Sequence, residues 1–348
     1  MLCALIMAGG KGTRFWPLST EEKPKQFLNL LGDETMIQMT VNRVKPIILM
    51  ERIFVCTVSS YVELVKEQLP ELPEENIIIE PEGRNTGPCI ALSSFIIDRK
   101  YKDATVVVLP SDHLIRNEDK FREIIVNCNK FLNDKPRSLI TIGMKPDRPE
   151  TGFGYIKYSD NSIKVNDNDF IKVERFVEKP DMEKAVEYLN DGKYLWNGGM
   201  FLWNVRNILN EIKKHSPGIY NPIKDIEIIE NEKLYELVNN RYCETEAISI
   251  DYAVLEKSNE IYVVPSDIGW DDIGTWKSVE RYKKKDIYNN ILEGNAQVID
   301  SRSNIAINNE KRIVMIGIDD VMTIETEDSI YIVNKNYMNN LRDYKNNL

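Results

Sequence analysis

The chain has 348 residues, 42% hydrophobic and 29% charged, which is enough apolar material for two or three domains or for one large α/β domain with a small appendage. A formal net charge of -10 argues against nucleic acid or an anionic membrane as partner, and no apolar run reaches the length of a bilayer span. Five scattered cysteines with no CxxC pair and only two histidines argue against disulfides, zinc and histidine-rich metal chemistry, and point to a reducing cytoplasm.

The apolar start Leu2–Met7 is too short for a signal peptide, lacks a basic n-region, and reads as a buried strand. Further apolar runs follow at Arg52–Thr57, Asn76–Ile79, Ala104–Leu109 and Ser138–Gly143. Between them Thr35–Leu49, Ser59–Leu69, Gly87–Lys100 and Asp119–Leu132 carry a helical period. Strands without polar alternation, alternating with helices, predict an α/β fold: a doubly wound, mixed but mostly parallel, Rossmann-like sheet with ligands at the carboxyl ends of its strands. From about Pro149 the pattern turns mixed, with Gly154–Tyr158, Ile171–Val177, Met182–Leu189 and Gly199–Trp203 reading as a substrate-binding extension of the same domain. After about Asn290 come short strands at Ala296–Ile299, Asn304–Ile307, Arg312–Ile316, Met322–Ile324 and Ser329–Val333. They predict a small all-β, β-helix-like C-terminal domain. The expected division is 1–288 and 289–348, with a frayed end over Asn336–Leu348.

The first strand runs into Ala8-Gly9-Gly10-Lys11-Gly12-Thr13-Arg14-Phe15. Glycines let backbone N–H groups approach an anion, so this is phosphate-cradling chemistry. Walker A is absent, and the dinucleotide fingerprint fails at Phe15, which disfavours a nicotinamide dehydrogenase. Arg14 and Lys25 bracket a proline-stiffened loop and can converge on one polyphosphate; solvated turn charges are the plainer alternative. Further on, Glu80-Pro81-Glu82-Gly83-Arg84-Asn85-Thr86 precedes a helix that either Asn85 or Thr86 could cap. Glu80 is the candidate acceptor for the N–H edge of a bound base.

The fourth strand ends in Pro110-Ser111-Asp112-His113, which puts Asp112 at its carboxyl end, and Asp272 stands in Trp270-Asp271-Asp272-Ile273-Gly274. Two such carboxylates suit Mg²⁺, although a helix cap and a turn explain them as well. Gly154, the Glu178–Lys179 pair before Pro180, the Asn197–Gly198 turn and Asp251 offer groups for a hydroxyl-rich ring and its phosphate. Trp196, Trp203, Trp270 and Trp276 read as packing, and Cys89 and Cys128 as core.

Taken together, AGGKGTRFWPLS, KPKQFL, EPEGRNT, PSDH, VEKP, NGGMF and WDDIG resemble the sugar nucleotidyltransferases, in particular the mannose-1-phosphate guanylyltransferase branch in its form without a fused isomerase domain. The resemblance runs through most of residues 1–285 and weakens beyond. Relatives usually carry Leu where Phe15 stands, often Ala at Gly87 and often Ser at Gly198. The resemblance implies GMP transfer from GTP to mannose 1-phosphate with Mg²⁺. It assigns Arg14, Lys25 and Lys179 to catalysis. The nucleotide falls to Ala8, Gly9, Gly10, Gly12, Thr13, Glu80, Arg84, Asn85, Thr86, Ser111 and Asp112. The sugar phosphate falls to Gly154, Glu178, Lys179, Asn197, Gly198 and Asp251, and the metal to Asp112 and Asp272. A cytoplasmic homodimer is expected. The same chemistry on another sugar phosphate or nucleotide, and a silent nucleotide-sugar sensor, are the alternatives; a sensor predicts loss of Arg14, Lys25, Asp112 or Asp272, and all four are present.

Overall fold

The computed structural model describes residues 1–177, 179–308 and 310–347. The chain divides into two units, one from Met1–Gly10 and Ile37–Trp270, the other from Lys11–Met36 and Asp271–Leu348. Glu178 lies outside the described residues, so its expected contact with the sugar phosphate has no structural counterpart.

In the first unit nine strands form one sheet: β1 (Leu2–Met7), β2 (Ile53–Val58), β3 (Ile77–Glu80), β4 (Thr105–Pro110), β5 (Leu139–Met144), β6 (Gly154–Val165), β7 (Asn168–Val177), β8 (Tyr194–Asn204) and β9 (Ile261–Ser266). Their order is β3-β2-β1-β4-β8-β5-β9-β7-β6. β1 pairs in parallel with β2 and β4, β2 with β3, and β9 with β5. β8 runs against β4 and β5, and β7 against β9 and β6. All strands but β7 and β8 therefore share one direction, and the sheet is mixed and mostly parallel, as the apolar runs predict.

The inner strands are continuous apolar runs because both of their faces are covered: Cys3, Ala4, Leu5 and Ile6 are all 0% exposed. One core gathers Phe54, Cys56, Ile90, Phe95, Trp203, Ile208, Ile212, Ile219 and Tyr242. The helix Thr86–Lys100 and three later helices, Val205–His215, Pro217–Ile223 and Asn231–Arg241, supply much of it. Those three helices were not anticipated. Yet Val205, Ile208, Leu209 and Ile212 are buried at the i, i+3, i+4, i+7 spacing of an amphipathic helix. The strand order reverses between β1 and β4, and at such a switch point the carboxyl ends leave a crevice.

In the second unit β10 (Ile291–Glu293), β12 (Ile305–Ile307), β14 (Val321–Glu325) and β15 (Ile330–Asn334) form a four-stranded sheet, and β11 (Ala296–Ile299) pairs with β13 (Ile313–Ile316). Ile291, Ile305 and Met322 sit side by side on successive parallel strands, the β-helix-like winding expected from the sequence. Antiparallel β15 closes the stack. Buried asparagines tie the coils: Asn290 Nδ2 donates to Ser301 O (3.0 Å), and Asn304 Nδ2 to Ile318 O (2.7 Å). The frayed end is corrected. Lys335–Asn347 winds as 3₁₀ helix, because Met338 and Leu341, three apart, are 5% and 6% exposed, while Lys335 Nζ donates to Glu280 Oε1 (2.8 Å) and Ser303 O (3.1 Å).

Candidate active site

In the first unit the end of β1 is stitched to β2: Ala8 N donates to Cys56 O (2.8 Å), and Thr57 Oγ1 donates to Ala8 O (3.1 Å). Behind Gly9 stands Glu80. A Cβ on Gly9 would come within 2.9 Å of Glu80 Oε2, so this turn needs glycine for space. Glu80 is 3% exposed, and its Oε1 accepts from the Tyr242 hydroxyl. Burial pushes its carboxyl above the usual carboxylate range, outweighing the Tyr242 bond. The carboxyl thus lies directly behind the glycine turn. Cys56 and Cys89 adjoin it, the ligand atoms of all three lying within 4.8 Å of one another. Burial pushes the Cys56 thiol up, and the bond to Cys56 followed by burial pushes Cys89 well up.

The Glu80–Thr86 loop is docked on the segment 242–251. Arg84 Nε donates to Thr245 O (2.8 Å), and Ile250 N donates to Thr86 Oγ1 (2.9 Å). Of the two possible caps the structure uses Asn85, whose Oδ1 accepts from Thr86 N (2.8 Å) while its φ stands at 72°. A non-glycine residue held there is strained, as chain at a binding loop often is. Gly87 N donates to Ile248 O (3.0 Å), and a Cβ at Gly87 would lie 2.6 Å from that oxygen and 2.8 Å from Ile219 Cδ1. In this chain Gly87→Ala is expected to lower unfolding stability by about 1–3 kcal/mol, the range for overpacking a buried site. Urea denaturation measures it, and an unchanged midpoint contradicts the close approach.

Beyond β4 the Ser111–His113 turn is held by residues that sequence reading missed. Ser111 N donates to Met7 O (3.2 Å), Thr40 Oγ1 to Ser111 O (3.2 Å), and Arg43 Nη2 to His113 O (3.2 Å). Arg43 is 1% exposed, and its Nε lies 3.6 Å from Glu118 Oε1. The Asp112 side chain keeps 32% exposure. Nothing local in the sequence marks Thr40, Arg43 or Tyr242, since each acts on a residue at least 70 positions away.

The sugar-side residues assemble on β8. Asn197 stands opposite both Gly143 and Gly154, where the register with β5 shifts, the kind of bulge that re-aims a side chain. Its Nδ2 donates to Asp251 Oδ1 (2.7 Å), and its Oδ1 accepts from Gly199 N (3.1 Å). Gly154, Asn197, Gly198 and Asp251 thus gather in one region. A Cβ on Gly198 would meet Trp270 at an ordinary 3.5 Å and Met200 Cε at 3.2 Å. Phe153 packs edge-on against Trp196 (5.2 Å) and Trp270 (5.1 Å), and Arg148 lies over Trp196 at 5.0 Å. Trp196, Trp203 and Trp276 are buried, as their reading as packing requires. Lys179 follows β7 with φ 38°, a left-handed residue other than glycine at an expected catalytic position.

In the second unit Arg14, Lys25 and Asp272 converge. Lys25 Nζ donates to Asp272 O (2.6 Å), and Arg14 Nη1 lies 3.8 Å from Asp272 Oδ2. Gly12 makes this possible: its φ is 40°, its carbonyl accepts from Lys25 N (3.1 Å), and a Cβ would meet that nitrogen at 2.7 Å. Thr13 opens the 3₁₀ turn Thr13–Phe15 that carries Arg14. The adjacent aspartates have different surroundings. Asp271 is 3% exposed and engaged by Arg281 Nη1 (2.6 Å) and Tyr282 OH (3.0 Å). The Asp272 side chain keeps 25% exposure and accepts from Gly274 N (3.1 Å).

A glycine-rich turn at a topological switch point of a mixed α/β sheet stands where folds of this class bind nucleotides. Residues 3–288 match the nucleotidyl transferase family, and the chain belongs to it. The mannose-1-phosphate guanylyltransferase of Escherichia coli is 36% identical over 341 residues, spanning 96% of this chain and 71% of that protein. The alginate biosynthesis protein AlgA of Pseudomonas aeruginosa is 34% identical over 343 residues, spanning 97% and 70%. The crystal structure of a mannose-1-phosphate geranyltransferase from Thermus thermophilus superposes with a TM-score of 0.85 at 27% identity, covering 99% of this chain and 98% of that one.

Enzymes of this family generally use a divalent metal. In the first unit Asp112, and in the second Asp272, each keep a partly exposed carboxylate, a hard oxygen donor of the kind Mg²⁺ takes one or two at a time. Among the described residues no helix is long and apolar enough to cross a membrane.

Proposed function

We propose that this chain transfers GMP from GTP to α-D-mannose 1-phosphate, giving GDP-mannose and pyrophosphate. The observation that carries the reading is the 36% identity with a mannose-1-phosphate guanylyltransferase along 96% of the chain. A phosphate oxygen of mannose 1-phosphate attacks the α-phosphorus of GTP; the new P–O bond forms as the bond to the β-phosphate oxygen breaks, and pyrophosphate leaves opposite. Such a step needs alignment and charge neutralisation, and no side-chain nucleophile.

Ala8, Gly9, Gly10, Gly12 and Thr13 offer backbone to the phosphates, Arg14 and Lys25 neutralise them, and Glu80, behind the turn, serves the base. Arg84, Asn85, Thr86 and Ser111 serve the nucleoside. Gly154, Asn197, Gly198 and Asp251 hold the sugar, and Lys179 orients the attacking phosphate. Magnesium, with Asp112 and Asp272 as its carboxylates, would supply Lewis-acid charge neutralisation when bound. The catalytic domain is 1–288 and the β-rich domain 289–348, in a cytoplasmic enzyme. The C-terminal strands support a homodimer, since the paired Ile299 and Ile316 are 44% and 61% exposed.

Pyrophosphate release with Mg²⁺ tests the reading, with each of the four nucleoside triphosphates paired with mannose 1-phosphate and with glucose 1-phosphate. Release confined to GTP with mannose 1-phosphate supports it. Activity with another pair moves the specificity, and no release with any pair overturns the transfer.

A further inference from the structure

His113 follows Asp112 and makes a contact that fixes its chemistry. The indole Nε1–H of Trp270 donates to His113 Nδ1 at 3.1 Å, and the two rings meet edge-on with centroids 5.4 Å apart. A ring nitrogen that accepts carries no proton, so the proton of the neutral imidazole sits on Nε2. That nitrogen lies 3.9 Å from Asp112 Oδ1, an ion-pair distance and longer than a hydrogen bond. The backbone beneath is pinned as well, because the His113 carbonyl accepts from buried Arg43.

We infer that His113 is a positioning residue for the carboxylate of Asp112, its Nε2 facing one oxygen at 3.9 Å and its tautomer set by Trp270. The inference rests on the reading of Asp112 as a metal carboxylate. Carboxylates that hold a metal are themselves hydrogen-bonded, and loss of such an outer partner typically weakens metal binding about 10–100-fold. Trp270 has a second task in packing against Phe153, and phenylalanine preserves that contact while deleting the N–H.

Mn²⁺ is the probe, its free concentration followed by electron paramagnetic resonance at one fixed pH, with GTP present and no sugar phosphate. Asp112→Asn is the control and should weaken binding about 100-fold. His113→Ala and Trp270→Phe should each weaken it roughly 10-fold. His113→Gln, whose amide N–H falls near the place of Nε2–H, should stay within about threefold of wild type. A merely structural His113 instead predicts lower melting temperatures with unchanged Mn²⁺ affinity. If Asp112→Asn loses binding while His113→Ala and Trp270→Phe bind as wild type, the positioning role is wrong and the metal reading stands. If Asp112→Asn binds as wild type, the metal reading fails and the inference falls with it. Should His113→Ala not fold, Trp270→Phe and His113→Gln decide the matter between them.

Discussion

Lys25→Met is expected to lower kcat/KM for pyrophosphate release by about 10²–10³-fold, the effect of deleting one preorganised group from a developing charge. Lys25 is 3% exposed, and its ammonium is fixed on the carbonyl of Asp272, the residue whose carboxylate Arg14 faces. Such a cation needs little reorganisation when negative charge builds on a polyphosphate. Lys25→Arg should not restore activity, because a planar fork cannot occupy the buried place of a point charge. The lost hydrogen bond to a charged group should also cost about 1–3 kcal/mol of stability. Steady-state kinetics and urea denaturation separate the two effects. Activity of Lys25→Met within threefold of wild type would remove Lys25 from the machinery.

Asp112→Asn should lower turnover on the order of 10³-fold with a melting temperature close to wild type. The amide keeps the shape of the carboxyl but loses the charge that a hard cation needs. Folding should survive because the turn is held elsewhere, by Thr40 on Ser111 and by Arg43 on His113. Circular dichroism alongside the assay checks both halves. Near-normal turnover ends the assignment of Asp112, and loss of fold shows that the turn depends on its carboxylate.

The sequence was most legible where one physical rule acts alone. Buried parallel strands read as unbroken apolar runs, and Leu2–Met7 is found with the expected bounds. Asn85 was one of two possible caps, and backbone geometry decides between them. Asp272 keeps a partly exposed carboxyl while Asp271 is buried, a difference that two adjacent residues of one type do not disclose in the sequence. The convergence of Arg14 and Lys25 was legible as a loop bracketed by cations, but their meeting at Asp272 was not, since Lys25 and Asp272 are 247 positions apart. Val205–His215 carries a period that sequence reading passed over. Glu80 was a harder case. Its residue type suggests a base reader, and only the fold shows its burial and its bond to Tyr242, 162 positions away.

That buried acid also ties folding to solution acidity. The Glu80 pKa is raised in the folded protein, chiefly by burial, so between the ordinary glutamate value and the raised one the native state holds a proton that the unfolded chain releases. The stability contributed by Glu80 is fully present below the unfolded value and is lost as pH rises through the folded one. Melting temperatures measured across that window should therefore fall less steeply for Glu80→Gln than for wild type, and calorimetric unfolding of wild type should show heats that vary with the ionisation enthalpy of the buffer.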